Sequence, residues 1–164
     1  MCLNFMALDL SLNHLIILLA DSNKIYYKIK TPVKRDRAGV LFHNLQNIIN
    51  EINFDLHSLD LLFSTVGPGN FNGIRVSLST IKGFSISNNT QIAGLSSLEA
   101  LSRSFLNSNN KYICSIIKAS PDFYYIEWFN QTNKSIVAPT IININEKIEL
   151  PVSINDIVLA GNDV

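Results

Sequence analysis

Cysteine is scarce in this chain. Cys2 and Cys114 are the only two, they lie far apart, and neither has a second thiol or a histidine at the short spacing of a zinc site. A disulfide-stapled scaffold is excluded, and two reduced thiols in a cytoplasmic protein are expected. Net charge is missing as well: 13 basic and 13 acidic side chains cancel, so no chain-wide field draws the protein to nucleic acid. The densest basic run, from Lys28 to Arg37, is modest and is read as a solvated loop. No apolar run reaches the roughly 18 residues of a membrane span. The apolar start of the chain lacks a basic leader region and is broken by Asp9, which makes it a strand rather than a signal peptide. His14, His43 and His57 stand isolated in different predicted elements, so no metal site is expected.

What the chain does have is apolar residues, 47% of 164, enough for one domain or two small lobes with a real core. Phe5 to Leu10, His14 to Ala20 and Lys24 to Lys30 read as an antiparallel meander of three strands. After Pro32, Leu41, Leu45, Ile48 and Ile52 fall on one face of a helix from about Asp36 to Glu51. A strand at Leu59 to Ser64, a helix from about Asn72 to Ser87 and a short strand at Gln91 to Leu95 follow. Ser96 and Glu99 have the spacing of a capping box and open a third helix, about Ser97 to Leu106. Beyond a polar connector at Asn107 to Asn110, strands are expected at Tyr112 to Ile117, Phe123 to Phe129, Ser135 to Ile144 and Ile157 to Ala160. This is the order of an α/β, ribonuclease-H-like lobe at residues 1–108, followed by a reduced lobe at 109–164.

The stretch with most chemical content lies between the fourth strand and the second helix: Gly67, Pro68, Gly69, Asn70, Phe71, Asn72, Gly73. Three glycines in seven residues define a tight turn with close backbone approach, and Asn72 offers a helix-starting amide. Two occupants fit such a turn, an anion at the helix start or another part of the fold packed against it. Walker A is excluded, because the only basic residue just after Gly73 is Arg75 and no Ser or Thr follows it directly. The dinucleotide fingerprint is weak, since no acid lies in 88–93 to hold a ribose. On the second helix Ile74, Leu78, Ile81 and Ser85 form one stripe beside a second of mostly small residues, Gly73, Ser77, Thr80 and Phe84, while Arg75, Ser79, Lys82 and Ile86 face away. The small stripe is expected to admit a neighbouring helix closely.

Gly67 to Arg75 resembles the GPGSFTGLR signature of the TsaB (YeaZ) family, accessory subunits of the bacterial tRNA threonylcarbamoyladenosine system. Lys82-Gly83, Gly94 to Leu101 and Ala7 to Ser11 resemble its "KG", "GVSSLEAL" and "AIDTS" segments, so the likeness spans roughly residues 5 to 130 in order. It implies the actin-like ATPase fold and no catalysis by this chain. It also implies pairing with a TsaD-like catalytic subunit that modifies adenosine 37 of tRNAs reading ANN codons, with a TsaE-like ATPase joining. On that reading ATP or ADP and metal belong to the partner subunits, tRNA is reached only through the complex, and a homodimer forms when the chain is alone.

The partner surface implied by the resemblance is the first two helices, at Arg37, Leu41, Leu45, Ile48, Asn72, Arg75, Val76 and Ser79, beside the signature positions Gly67, Pro68, Gly69, Phe71 and Gly73. Arg37 stands where the family often has histidine, Leu10 where it has threonine after the aspartate, and Lys118-Ala119-Ser120 where it has "DAR". The last change removes an acid that actin-like ATPases use near phosphates. The chain is also expected to stop where the family continues into further helix. A reduced ATPase or phosphotransferase built on Asp9 and the Gly67 to Gly73 loop is the alternative.

Overall fold

The computed structural model describes residues 3–52, 54–106, 111–147, 149, 151–153 and 156–161. The 107–110 connector, Cys2, the side chain of Ile52 and position 148 lie outside them. The chain separates into two compact units, residues 1–95 and 96–164.

In the first unit, β1 (Phe5–Asp9), β2 (His14–Ala20) and β3 (Ile25–Pro32) form the expected antiparallel meander, with Leu8 opposite Ile17 and Ile17 opposite Ile29. β4 (Leu61–Thr65) runs parallel to β1 on its other side and β5 (Gln91–Leu95) parallel to β4, giving the order β3-β2-β1-β4-β5. Period-two alternation places Met6, Leu8, Leu15, Ile17, Leu19 and Leu62 in one buried layer, as a half-buried sheet requires. α1 (Arg37–Ile52) adds Leu41, Leu45 and Ile48 to that layer, and α2 (Phe71–Asn88) adds Ile81. Asp36, at φ 47°, accepts from the Gly39 amide to start α1, a left-handed position that Asp tolerates. β4 begins later than expected because Leu56–Ser58 forms a 3-10 turn capped by Asp55.

The second unit opens with α3 (Ser97–Arg103), then β6 (Tyr112–Lys118), β7 (Phe123–Asn130), β8 (Ser135–Asn143) and β9 (Ile157–Gly161) in the order β8-β7-β6-β9. β6 pairs antiparallel with β7 and parallel with β9, so β6 to β9 repeat the pairing of β1 to β4. The repeat gives Asp9 and Lys118 corresponding positions, each the last residue of the first strand of its sheet. α3 packs on β6, β7 and β9, so it groups with the second sheet rather than with the lobe expected to run to residue 108. The other side of β6 carries the cluster of Cys114, Ile126 and Trp128 with Ile142 and Ile157. Ser96 caps α3 as expected, but its hydroxyl accepts from the Leu98 amide, and Glu99 bonds Arg103 at 2.8 Å rather than reaching back.

Candidate functional site

The glycine loop is shaped by what it packs against. Its Gly67-Pro68 bond is cis, and Gly67 has φ 105°. Past it, the backbone closes on the turn between β1 and β2. A methyl group on Gly69 would lie 2.3 Å from the Ser11 carbonyl oxygen, and one on Gly73 only 1.9 Å from that of Leu10. Only glycine permits such approach. The Asn70 amide donates to the Ser11 carbonyl at 2.6 Å, and the Asn70 side chain accepts from the Gly73 amide at 2.9 Å. Asn70, not Asn72, is therefore the cap of α2, and the Ile74 amide is satisfied by the Asn70 carbonyl.

Asp9 belongs to the same network. Its Oδ1 accepts from the Ser11 amide at 2.9 Å and from the hydroxyl of Thr65, the last residue of β4. The carboxylate thereby ties the end of β1 to the end of its parallel neighbour. The hydroxyl of Ser11, buried among these groups, makes no hydrogen bond.

The helices divide the expected partner residues in two. Leu41, Leu45 and Ile48 are 0%, 4% and 1% exposed and fill the core of the first unit, so they are not contact residues. Arg37 reaches inward, donating to the Leu10 and Leu12 carbonyls at 3.3 and 2.9 Å, and holds the β1–β2 turn. The small-residue stripe is also used internally: Gly73, Ser77 and Thr80 form the buried face of α2 with Ile81, the helix packs on β1, β4, β5 and α1, and Thr80 borders the groove beside Ala38 and Phe42 of α1. Asn72, Arg75 and Ser79 are exposed and Val76 partly so, and these four line a groove of about 450 Å³ with Ala38, Phe42 and Thr80.

Phe42, at 56% exposure, and Phe71, at 69%, are the large apolar groups of this face, and the Arg75 guanidinium lies 5.3 Å from the Phe71 ring centre. Phe42 escaped the sequence reading. Its signal was an aromatic one position past the buried Leu41 on a helix whose core stripe was already complete. Ile49 and Ile86 extend the exposed apolar surface of the two helices.

Among the described residues no three His, Cys, Asp or Glu side chains converge as metal ligands. His43 contacts Asn47 one helical turn away at 3.2 Å. In the second unit burial pushes the Cys114 thiol up from 9.0 to about 11, further from ionisation than a free thiol. Among the described residues no helix is long and apolar enough to cross a membrane.

A ribonuclease-H-like sheet, followed by a second sheet with the same strand pairing, defines a chain of the actin-like ATPase fold. A family model described as TsaD, tRNA N6-adenosine threonylcarbamoyltransferase, matches residues 33–160. The chain belongs to that family and is a TsaB/YeaZ member of it. It is 24% identical over 153 residues to the tRNA threonylcarbamoyladenosine biosynthesis protein TsaB of Buchnera aphidicola subsp. Schizaphis graminum (strain Sg), covering 93% of this chain and 70% of the relative. Among solved structures it is similar to YeaZ from Pseudomonas aeruginosa, with a TM-score of 0.83 at 20% identity over 97% of this chain and 76% of that one. The (R)-2-hydroxyglutaryl-CoA dehydratase component A of Acidaminococcus fermentans shares the fold more distantly, at TM-score 0.52 and 10% identity over 86% of this chain and 48% of that one.

Proposed function

We propose that this chain is a non-catalytic partner subunit of a TsaD-like threonylcarbamoyltransferase and takes part in threonylcarbamoyladenosine formation at position 37 of tRNAs reading ANN codons. The observation that carries the reading is the outer face of α1 and α2, where Phe42, Phe71 and Arg75 stand beside an open groove after the helices have already filled their own core. Exposed aromatics with an adjacent arginine are the residue types that dominate binding energy at protein interfaces. The partner seats on this face, and two copies of the chain pair through it when the partner is absent. A TsaE-like ATPase joins the assembly, while ATP or ADP and metal are held by the partner subunits. The family match and the name of the Buchnera relative support the pathway.

The test is size-exclusion chromatography with light scattering on this chain mixed with a TsaD-like protein, followed by reconstitution of tRNA modification with and without it. Wild type forms the complex and stimulates modification. Phe42→Asp and Ser79→Glu, both on exposed positions, leave the fold intact and weaken association by roughly tenfold or more, as loss of an interface anchor does. Two folded proteins that ignore each other, or a complex indifferent to both substitutions, refute the proposal.

A further inference from the structure

The neutral net charge conceals a strong local asymmetry. Six of the 13 cationic side chains lie in residues 24–37, with Asp36 as the single acid, leaving seven cations against twelve acids elsewhere. The run is only in part a loop: most of it is β3, the expected third strand and the edge of the first sheet, and the bend that follows. Register places Lys28 opposite Leu18 and Lys30 opposite Ile16, on the sheet face away from the core layer of Leu15, Ile17 and Leu19. Their cross-strand neighbours therefore offer no carboxylate. Lys34 and Arg35 continue the line past the buried Val33, and all four side chains are exposed. Among the described residues ion pairs join Arg103 to Glu99 and Lys111 to Asp156, and none involves these four. The acids closest in sequence or register are engaged otherwise: Asp21 accepts from the Tyr26 hydroxyl and the Asn23 and Lys24 amides, Asp36 from the Gly39 amide, and Asp9, in line with Lys30 across Ile16, from the Ser11 amide and the Thr65 hydroxyl.

We propose that β3 and the bend after it form a docking strip for the phosphate backbone of RNA, with Lys28, Lys30, Lys34 and Arg35 as its contacts. Alternate residues of a strand stand about 7 Å apart on one face, so Lys28 and Lys30 present two unneutralised charges in a straight line, and Lys34 and Arg35 extend it. Such contacts hold a polyanion without reading its bases. The choice of tRNA as the RNA rests on the function proposed above, and the strip itself lies on a different element from the α1–α2 groove.

The experiment is fluorescence anisotropy of labelled unmodified tRNA, titrated with the chain alone and with its complex with the TsaD-like protein, over a range of salt. Neutralising two contacts in Lys28→Gln/Lys30→Gln is expected to weaken binding roughly tenfold at low salt and to reduce the slope of log affinity against log salt by roughly 1.5. Lys28→Arg/Lys30→Arg is expected to retain wild-type binding, and Lys134→Gln, in the second unit, to change it far less than the double variant. Equal affinity and slope in wild type and double variant overturn the proposal. So does aggregation of the double variant with unchanged tRNA binding, which would make the lysines guards of an exposed sheet edge, or binding to phosphatidylserine vesicles with none to tRNA. Complex formation measured on the same double variant separates the two readings. A complex that forms normally while tRNA binding ignores the strip refutes this inference alone, and the titration of the isolated chain decides the inference even where no complex forms.

Discussion

Gly73 and Gly83 lie in the same helix, ten residues apart, and the same substitution at the two positions should have opposite effects. A methyl group on Gly83 meets nothing within 4 Å, so Gly83→Ala gains the helix preference of alanine and reduces the entropy of the unfolded chain, about 0.5–1 kcal/mol of stabilisation. A methyl group on Gly73 would stand 1.9 Å from the Leu10 carbonyl oxygen, and real contacts do not fall below 3.0 Å, so α2 and the end of β1 must separate by about 1.1 Å. Backbone cannot swing aside as a side chain does. The movement strains the 2.6 Å bond from the Asn70 amide to Ser11 and the 2.9 Å capping bond to Gly73. Overpacking of this kind costs about 1–3 kcal/mol and a lost cap about 1 kcal/mol, against a helix-propensity gain of at most about 1 kcal/mol. The net expectation for Gly73→Ala is a loss of roughly 2–3 kcal/mol, measured as a lower urea midpoint at unchanged slope. If Gly73→Ala proves as stable as wild type, or moves in the same direction as Gly83→Ala, close packing of α2 on the β1–β2 turn is not what fixes glycine at position 73.

Arg37→Met keeps the length of the side chain but removes its bonds to the Leu10 and Leu12 carbonyls. It should lower stability by about 1–2 kcal/mol in urea titration while leaving affinity for a TsaD-like partner within about twofold, the opposite of the pattern for Phe42→Asp. Cys114 makes stability depend on alkaline pH. Burial raises its thiol from 9.0 to about 11, so in that interval the unfolded chain has lost a proton that the folded chain retains. Stability therefore falls as pH rises from about 9 to about 11, by at most about 2–3 kcal/mol. In a Cys2→Ser background, Cys114→Ala should flatten that part of the profile, and an unchanged profile would show that the thiol remains protonated in neither state or both.

Element order was legible because the periodicities are clean: alternation in β1 to β3, the Leu41-Leu45-Ile48 spacing in α1, and turn residues between them. Direction was harder. A helical stripe shows which residues share a face and not whether that face looks into the protein or out of it, so the spacing of Leu41, Leu45 and Ile48 does not oppose the contact role that the resemblance implies for them, although they are core. The small stripe of α2 divides between two neighbours: Gly73 meets the end of β1, more than sixty residues earlier in the chain, and Thr80 borders the groove shared with α1. The cap of α2 was displaced from Asn70 to Asn72 because both are asparagines near a glycine, and only the bond from Gly73 to the Asn70 side chain separates them. The affiliation of α3 with the second sheet depends on its packing against β6, which no local spacing encodes.

The glycine loop shows why spacing alone left its occupant open. Close backbone approach demands glycine whether the approaching group is a phosphate or another strand, so Gly69 and Gly73 fit both, while Gly67 is set by its positive φ. Electrostatics distinguishes them, because an anion is held by donors, whereas the atoms facing Gly69 and Gly73 are the acceptor oxygens of Ser11 and Leu10. The donors are also committed: the Asn70 amide to Ser11, the Gly73 amide to the Asn70 side chain and the Ile74 amide to the Asn70 carbonyl. Asp9 adds a negative charge to the same corner and is itself held by Thr65 and Ser11. An anion arriving at the start of α2 would have to displace Asn70 and face both carbonyls and the carboxylate. The loop is therefore built to seat α2 against the end of β1, and by fixing that helix it fixes the outward Asn72, Arg75 and Ser79 along the groove, with Phe71 beside Arg75.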